Sequence, residues 1–287
     1  MSLLDPQLIA FMAIVKHKTV YGAASAVYVT QTAVTQRIRV LEAKLGATLF
    51  LRTRRGMLLT PEGEDLLHYC LAVQELEGEA LANIKGLTMK AEVQLTIAGP
   101  TSIMQARVVS QTAPIMKQYP NLLLCFDIND NSVQQQKLRS GDCQLAILPK
   151  EKLTHSMDTK LLAPEEYVLV CAPAWRKRKL KDIIANERII DFSPEDQTTL
   201  NYLRQYELLS AARSERYFAN STNALALLLM KALGYSVLTK EFIKPFVTQG
   251  ELIILNKERV YEHTSALAWY KRRGLPQHFA ALIEVIN

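Results

Sequence analysis

A chain of 287 residues is too long for one ordinary domain and suits a small domain followed by a larger one. Its 49% hydrophobic content excludes a disordered chain, and no run approaches the roughly 18 apolar residues of a membrane span. The net charge of +6 lies wholly in residues 1–60, where eight basic residues (Lys16, Lys18, Arg37, Arg39, Lys44, Arg52, Arg54, Arg55) face two acids (Asp5, Glu42), so the partner at that end is expected to be a polyanion.

Leu8, Phe11, Met12 and Val15 fall at helical spacing and predict a first helix after Asp5-Pro6. Val20, Ala23, Ala24 and Val27 predict a second. Thr30 is a good N-cap for a third, whose buried stripe is Val34, Ile38, Leu41 and Leu45 and which Gly46 ends. Three short helices with tight connections describe a helix-turn-helix unit. Two apolar segments, 49–52 and 57–59, flank Thr53-Arg54-Arg55-Gly56 and predict a β-hairpin wing with arginines at its tip.

Thr60-Pro61-Glu62 opens a long helix expected to run to about residue 90. Leu66, Cys70, Val73, Ala80, Ile84 and Leu87 form a 3-4 stripe, interrupted at Glu77, that suggests pairing between two chains; packing on the chain's own rear domain is the alternative. From Val93 onward strands and helices alternate. Strands are expected at 93–97, 122–126 and 144–148, helices at 101–118 and 132–139, then further alternation from 167 to 238. Strands at 253–255 and 266–270 and a helix at 276–286 close the chain. Such alternation builds parallel sheets with covering helices, here as two lobes around a cleft.

On the third helix, if Val34 points inward, Thr32, Gln36 and Arg39 point nearly opposite and Thr35 sideways. Glutamine pairs bidentately with adenine and arginine with guanine, and threonine offers a hydroxyl or meets the thymine methyl. Thr30 at the helix start, with Gln31 and Arg37 flanking that face, suits phosphates, as do Arg52, Arg54 and Arg55 in the wing.

The run 23–46, from Ala23-Ala24-Ser25-Ala26 through Gln31-Thr32-Ala33-Val34-Thr35-Gln36-Arg37-Ile38 to Leu45-Gly46, resembles the signature of LysR-type transcription regulators. Leu49-Phe50-Leu51-Arg52-Thr53 and Leu59-Thr60-Pro61-Glu62-Gly63 match the same family's wing and linker start. The resemblance implies a winged helix-turn-helix over 1–60, a linker (dimerisation) helix over 61–90 and a two-lobed α/β effector domain like a periplasmic binding protein over 91–287. Its first sublobe is expected over about 91–161 plus 266–287 and its second over about 162–265. It also implies double-stranded DNA as partner, a homodimer through the linker helix, a homotetramer, a small-molecule effector in the cleft and contact with RNA polymerase.

For the effector, Thr101 and Ser102 after the first strand and Ser221 and Thr222 at a later helix start offer hydroxyls and free N–H groups to a carboxylate, although both are also ordinary N-caps. Asp130 suits a ligand ammonium or guanidinium, with turn chemistry as the competing explanation. Ala219-Asn220-Ser221-Thr222 and Gly250-Glu251-Leu252-Ile253 resemble the arginine/lysine-responsive (ArgP/LysG-like) branch, which implies a basic amino acid as effector; an unrelated small carboxylate is the alternative.

Cys70, Cys125, Cys143 and Cys171 lack C-x-x-C spacing and the five histidines lack metal spacing, so neither a metal nor a cofactor is expected. No phosphate loop, nucleophile elbow or zinc-protease motif suggests an enzyme. The first residues, Met1-Ser2-Leu3-Leu4-Asp5, carry no secretory pattern, so a cytoplasmic protein is expected rather than a transport-type solute-binding protein. A ligand-independent architectural DNA-binding protein is the remaining rival.

Overall fold

The computed structural model describes residues 4–54, 56–84, 92–130, 133–272 and 274–287. Helix α1 (Pro6–His17) starts where the Asp5 carboxylate accepts from the Gln7 N–H at 2.8 Å, and stops at a left-handed Lys18. Helix α2 (Val20–Ala26) is capped by Thr19, and α3 (Gln31–Leu45) by Thr30, whose hydroxyl accepts from the Ala33 N–H at 3.1 Å; Gly46, at φ 66°, ends α3. Their apolar faces meet in one core around Phe11, Ile14, Ala23, Val34, Ile38 and Leu41. Leu45, expected in that stripe, is instead 48% exposed, because the last turn of α3 runs past the core.

Strands β1 (Phe50–Thr53) and β2 (Gly56–Leu59) form the antiparallel wing, with Arg52 opposite Met57. Its turn end is held against the end of α1, since the Met57 N–H donates to the Lys18 carbonyl at 2.8 Å and a Cβ on Gly56 would fall 2.4 Å from that same oxygen. Thr60 then donates its hydroxyl to the Thr48 carbonyl at 2.6 Å and accepts from the Gly63 N–H at 3.0 Å, starting α4 (Pro61–Ile84).

Gly63 lets α4 touch the wing, because a Cβ there would lie 2.3 Å from the Leu49 carbonyl oxygen. Gly63→Ala must push helix and wing apart, and an overpacking cost of about 2 kcal/mol is expected. A urea melt of residues 1–84 checks this, and an unchanged midpoint would show that the contact has slack.

The linker helix divides its apolar surface. Leu67 and Cys70 are buried in the core of the three-helix head, so Cys70, expected in a stripe facing another chain, faces inward. Tyr69 and Leu76, one heptad apart, are 58% and 63% exposed. The expected extension of the helix to residue 90, with Leu87, lies outside the described residues. Among the described residues no helix is long and apolar enough to cross a membrane.

The first rear sheet is built from β3 (Val93–Gly99), β4 (Leu122–Ile128), β5 (Leu145–Pro149) and β6 (Met157–Leu161). Between β3 and β4 runs a helix in three pieces: α5 (Thr101–Ile103), a π-helical turn (Met104–Val108) and α6 (Val109–Gln118). Helix α7 (Gln134–Arg139) precedes β5. The chain then leaves through β7 (Glu165–Cys171), α8 (Leu180–Asn186), β8 (Ile189–Asp191), α9 (Thr198–Gln205), β9 (Arg216–Phe218), α10 (Thr222–Met230), β10 (Ser236–Thr239), α11 (Lys240–Thr248), β11 (Ile253–Ile254) and β12 (Val260–His263). It returns to the first sheet as β13 (Ser265–Tyr270) and ends in α12 (Gln277–Val285).

The first sheet has the order β4-β3-β5-β13-β6, with β3 parallel to β4 and β5, and β13 antiparallel to β5 and β6. In the second, β7 pairs antiparallel with β10, β11 and β12, and beside it β8 and β9 form a separate two-stranded parallel sheet. The parallel pairing expected from alternation holds at β3, β4 and β5 and at β8 and β9, while the first sheet as a whole is mixed and the second is antiparallel. The reason is the double crossover: each sheet takes in a strand arriving from the other, and such strands enter antiparallel. Separate apolar clusters line the two sheets, around Ile97, Leu145 and Phe279 in the first and around Leu169, Ile184 and Tyr202 in the second.

Helix α4 also packs on the first sheet's body. Arg139 of α7 forks onto the Glu64 carboxylate, with Nε 3.0 and 3.1 Å from its two oxygens. Leu71 fills the place where a Cβ on Gly141 would sit, at 2.5 Å. His68 stacks on Tyr270 with ring centroids 3.4 Å apart and 20° between planes. The helix thus makes the own-domain contact that periodicity left as the alternative.

Candidate functional site

Two places gather the residues singled out by sequence. On α3, Thr32, Gln36 and Arg39 are exposed, Thr35 and Arg37 are half-buried, and Val34 is fully buried behind them. The outward face is therefore polar at its start and basic further along. Gln31 is exposed beside it, while the Thr30 hydroxyl is committed to capping. Arg52 and Arg54 project from the exposed wing; Arg55 lies outside the described residues. Sequence reasoning missed Tyr28, which is 94% exposed in the turn between α2 and α3 at φ 56°. A tyrosine standing in a turn that otherwise needs polar residues was its signal, and its hydroxyl can donate to a phosphate.

The second place is the cleft between the sheets. Strand β4 runs in parallel register with β3 as far as Gly99 beside Ile128, and the Asn129 N–H donates to the Gly99 carbonyl at 3.0 Å. That register carries Asp130 to the start of α5, where its Oδ1 accepts from the Thr101 N–H at 2.7 Å. From the other sheet, the Thr222 hydroxyl at the start of α10 donates to Asp130 Oδ2 at 3.2 Å. One carboxylate thereby joins both helix starts. Ser221 caps α10, accepting from the Ala224 N–H at 3.4 Å.

Ser102 donates to Oε1 of Glu165 at 3.0 Å. Glu165, the first residue of β7, is 2% exposed, and burial raises its carboxyl above the usual range, against the pull of the Ser102 hydrogen bond and of His263, which sits opposite it in register. Tyr167, two residues along β7, is also raised, by burial and then by the charges of Glu165, Asp196 and Asp130. The three acids all act on the Tyr167 ring, while His263 and Arg107 act on Glu165 with the opposite sign. Neither Glu165 nor Tyr167 was foreseen, since nothing in the local sequence says that 102 and 165 meet.

Behind the cleft Arg107, on the π-helical turn, donates through Nε to both oxygens of Glu241 at 3.0 and 2.9 Å, and through its other nitrogens to the carbonyls of Ala163 at 2.6 Å and Pro164 at 3.1 Å. The first sheet's helix, the crossover and α11 of the second sheet are tied by one side chain.

Comparison with known proteins finds two family models along the chain. Residues 6–64 match the model of the bacterial regulatory helix-turn-helix protein, lysR family, and residues 91–287 match the LysR substrate binding domain. The chain is 27% identical to the HTH-type transcriptional regulator PtxR of Pseudomonas aeruginosa, over 98% of its own length and 91% of that protein's. Its fold is similar to that of ArgP from Mycobacterium tuberculosis, with a TM-score of 0.80 at 21% identity, covering 99% of this chain and 96% of that one. Full-length LysG from Corynebacterium glutamicum, solved with the effector Arg bound, overlays with a TM-score of 0.77 at 20% identity, again over 99% and 96% of the two chains.

Proposed function

The chain belongs to the LysR family of bacterial transcription regulators, with the helix-turn-helix and substrate-binding domains of that family, and on that premise we propose that it reads a DNA site through α3 and senses a basic amino acid between its two sheets. The observation that carries the DNA reading is the exposed row Thr32, Gln36 and Arg39, backed by buried Val34 and flanked by the wing. In this reading Gln36, Thr35, Thr32 and Arg39 meet base edges, and Gln31, Arg37, Arg52, Arg54, Arg55 and the N–H groups after Thr30 meet phosphates. The effector carboxylate lies at Thr101, Ser102, Ser221 and Thr222, and its cation lies toward Asp130. The carboxylates around Tyr167 support a cationic ligand, as does the arginine bound to LysG.

The head occupies about 1–60, the linker 61–90 and the effector domain the rest. Two chains pair along the linker helix, where Tyr69 and Leu76 present an exposed apolar edge, and two such dimers make a tetramer that bends promoter DNA beside RNA polymerase. The protein works in the cytoplasm, where that DNA lies.

A footprint on DNA around its own gene, with and without lysine and arginine, tests the proposal. An extended footprint that shortens or shifts with one amino acid is expected. Protection that ignores both discards the ligand, and no protection on promoter DNA discards the regulator's proposed mode of reading. Gln36→Ala is expected to cost about 2 kcal/mol of preference for the cognate site while leaving nonspecific binding intact. Arg52→Ala and Arg54→Ala are instead expected to weaken all DNA binding and to flatten the salt slope by about 0.9 each. Titration at several salt concentrations separates the two cases.

A further inference from the structure

At three of the four residues assigned to a ligand carboxylate, a donor is already engaged by a carboxylate of the chain itself. The Thr101 N–H is held by Asp130 Oδ1 at 2.7 Å, the Thr222 hydroxyl by Asp130 Oδ2 at 3.2 Å and the Ser102 hydroxyl by Glu165 Oε1 at 3.0 Å. Asp130 is also only half-buried and follows the end of β4, so its side chain can leave without breaking the sheet. A ligand carboxylate seeking those donors must displace it.

Once displaced, Asp130 stands beside the incoming carboxylate, while Arg107 is spent on Glu241 and two carbonyls and His263 faces Glu165 in register. Like charges gathered in a partly desolvated cleft repel. A ligand carrying its own ammonium relieves this repulsion, because the freed Asp130 can accept from it.

We propose that Asp130 is a tethered competitor, holding the carboxylate seat at the two helix starts until a ligand displaces it and then pairing with that ligand's ammonium, so that the cleft selects zwitterions over simple carboxylates. This rests on the effector seat proposed above and adds to it the basis of selection.

The test is calorimetric titration of the full-length protein with L-lysine, L-arginine and hexanoate, the last offering a carboxylate and a chain of similar length without any ammonium. Wild type is compared with Asp130→Asn, which keeps the shape and capping ability but not the charge, and with Asp130→Ala, which vacates the seat. Both variants are expected to bind hexanoate about tenfold more tightly than wild type and the amino acid about tenfold more weakly, so that discrimination falls by about a hundredfold. Cognate DNA binding without ligand reports that each variant is folded, and either variant alone suffices for the comparison. Shifts of equal size and direction for all ligands would reduce Asp130 to a structural cap and overturn the proposal, as would hexanoate binding that does not improve. If neither amino acid binds wild type, the basic-amino-acid reading fails, yet a gain in hexanoate binding by the variants would still uphold the tethered competitor.

Discussion

Replacing Arg107 with alanine is expected to lower the unfolding free energy of the two-sheet domain by about 4 kcal/mol. The side chain is 8% exposed and satisfies two backbone carbonyls of the crossover together with the Glu241 carboxylate. Removing it leaves the Ala163 and Pro164 carbonyls without their donor and strands a carboxylate, and breaking a buried pair in this way costs roughly 3–5 kcal/mol. Glu241 is 44% exposed, so water takes up part of its charge and the loss stays below the upper end of that range. Arg107→Lys recovers little, because a point charge cannot fork across a carboxylate and two carbonyls at once. Urea denaturation followed by far-ultraviolet dichroism reads the effect. The DNA-reading head has its own core and its transition is expected to stay where it was; an unmoved midpoint for the two-sheet domain would contradict the clamp.

Acidification is expected to loosen α4 from the first sheet. Burial, and then the charge of Arg272, push His68 down to about 4, and its Nε2 is buried without a hydrogen-bond partner among the described residues. Around it stand Glu64 and Asp65 on its own helix, Arg139 from α7, and Tyr270 and Arg272 at the end of β13. An undocked His68 takes its proton near pH 6.5, whereas the docked ring refuses it until about 4, so the undocked state binds more protons between those values. Docking is therefore at full strength above pH 6.5 and weakens as pH falls, with the loss complete below about 4. The whole shift corresponds to about 3 kcal/mol. Hydrogen-exchange protection of α4 at pH 7, 6 and 5 measures it, and His68→Phe keeps the ring stack without the proton site. Protection in His68→Phe that falls as steeply as in wild type would assign the effect to Glu64 and Arg139 instead.

The head was largely legible because its signals are local. The caps at Thr30 and Thr60, the periodicity of α3 and the glycine ending it all act within a few residues. Even there Leu45 misled, since periodicity marks a face but not where the core ends. The rear domain was legible as alternation but not in its pairing. Helix α11 was overlooked because Pro245 lies inside it, and β6 and β12 because neither carries a clean apolar alternation. At the cleft, Thr101, Asp130 and Thr222 were legible as separate effector candidates, with capping and turn chemistry as the alternative. That one carboxylate bonds both threonines follows from strand register and from the chain's return between sheets, over separations of 29 and 92 residues. Glu165 and Arg107 had no local signature at all, because each is defined by what another part of the chain brings to it.

Strand β13 is the last in the chain yet lies inside the first sheet, between β5 and β6. On the ribosome this fixes an order of events. The head draws its core from residues no later than Leu71 and can fold while most of the protein is still unmade. Strands β5 and β6 then wait with open edges while the entire second sheet is synthesised, and close only when Ser265–Tyr270 emerges. A nascent chain therefore has a folded DNA-reading head long before it has a sensor, and a chain truncated before β13 would keep that head while exposing two strand edges to aggregation.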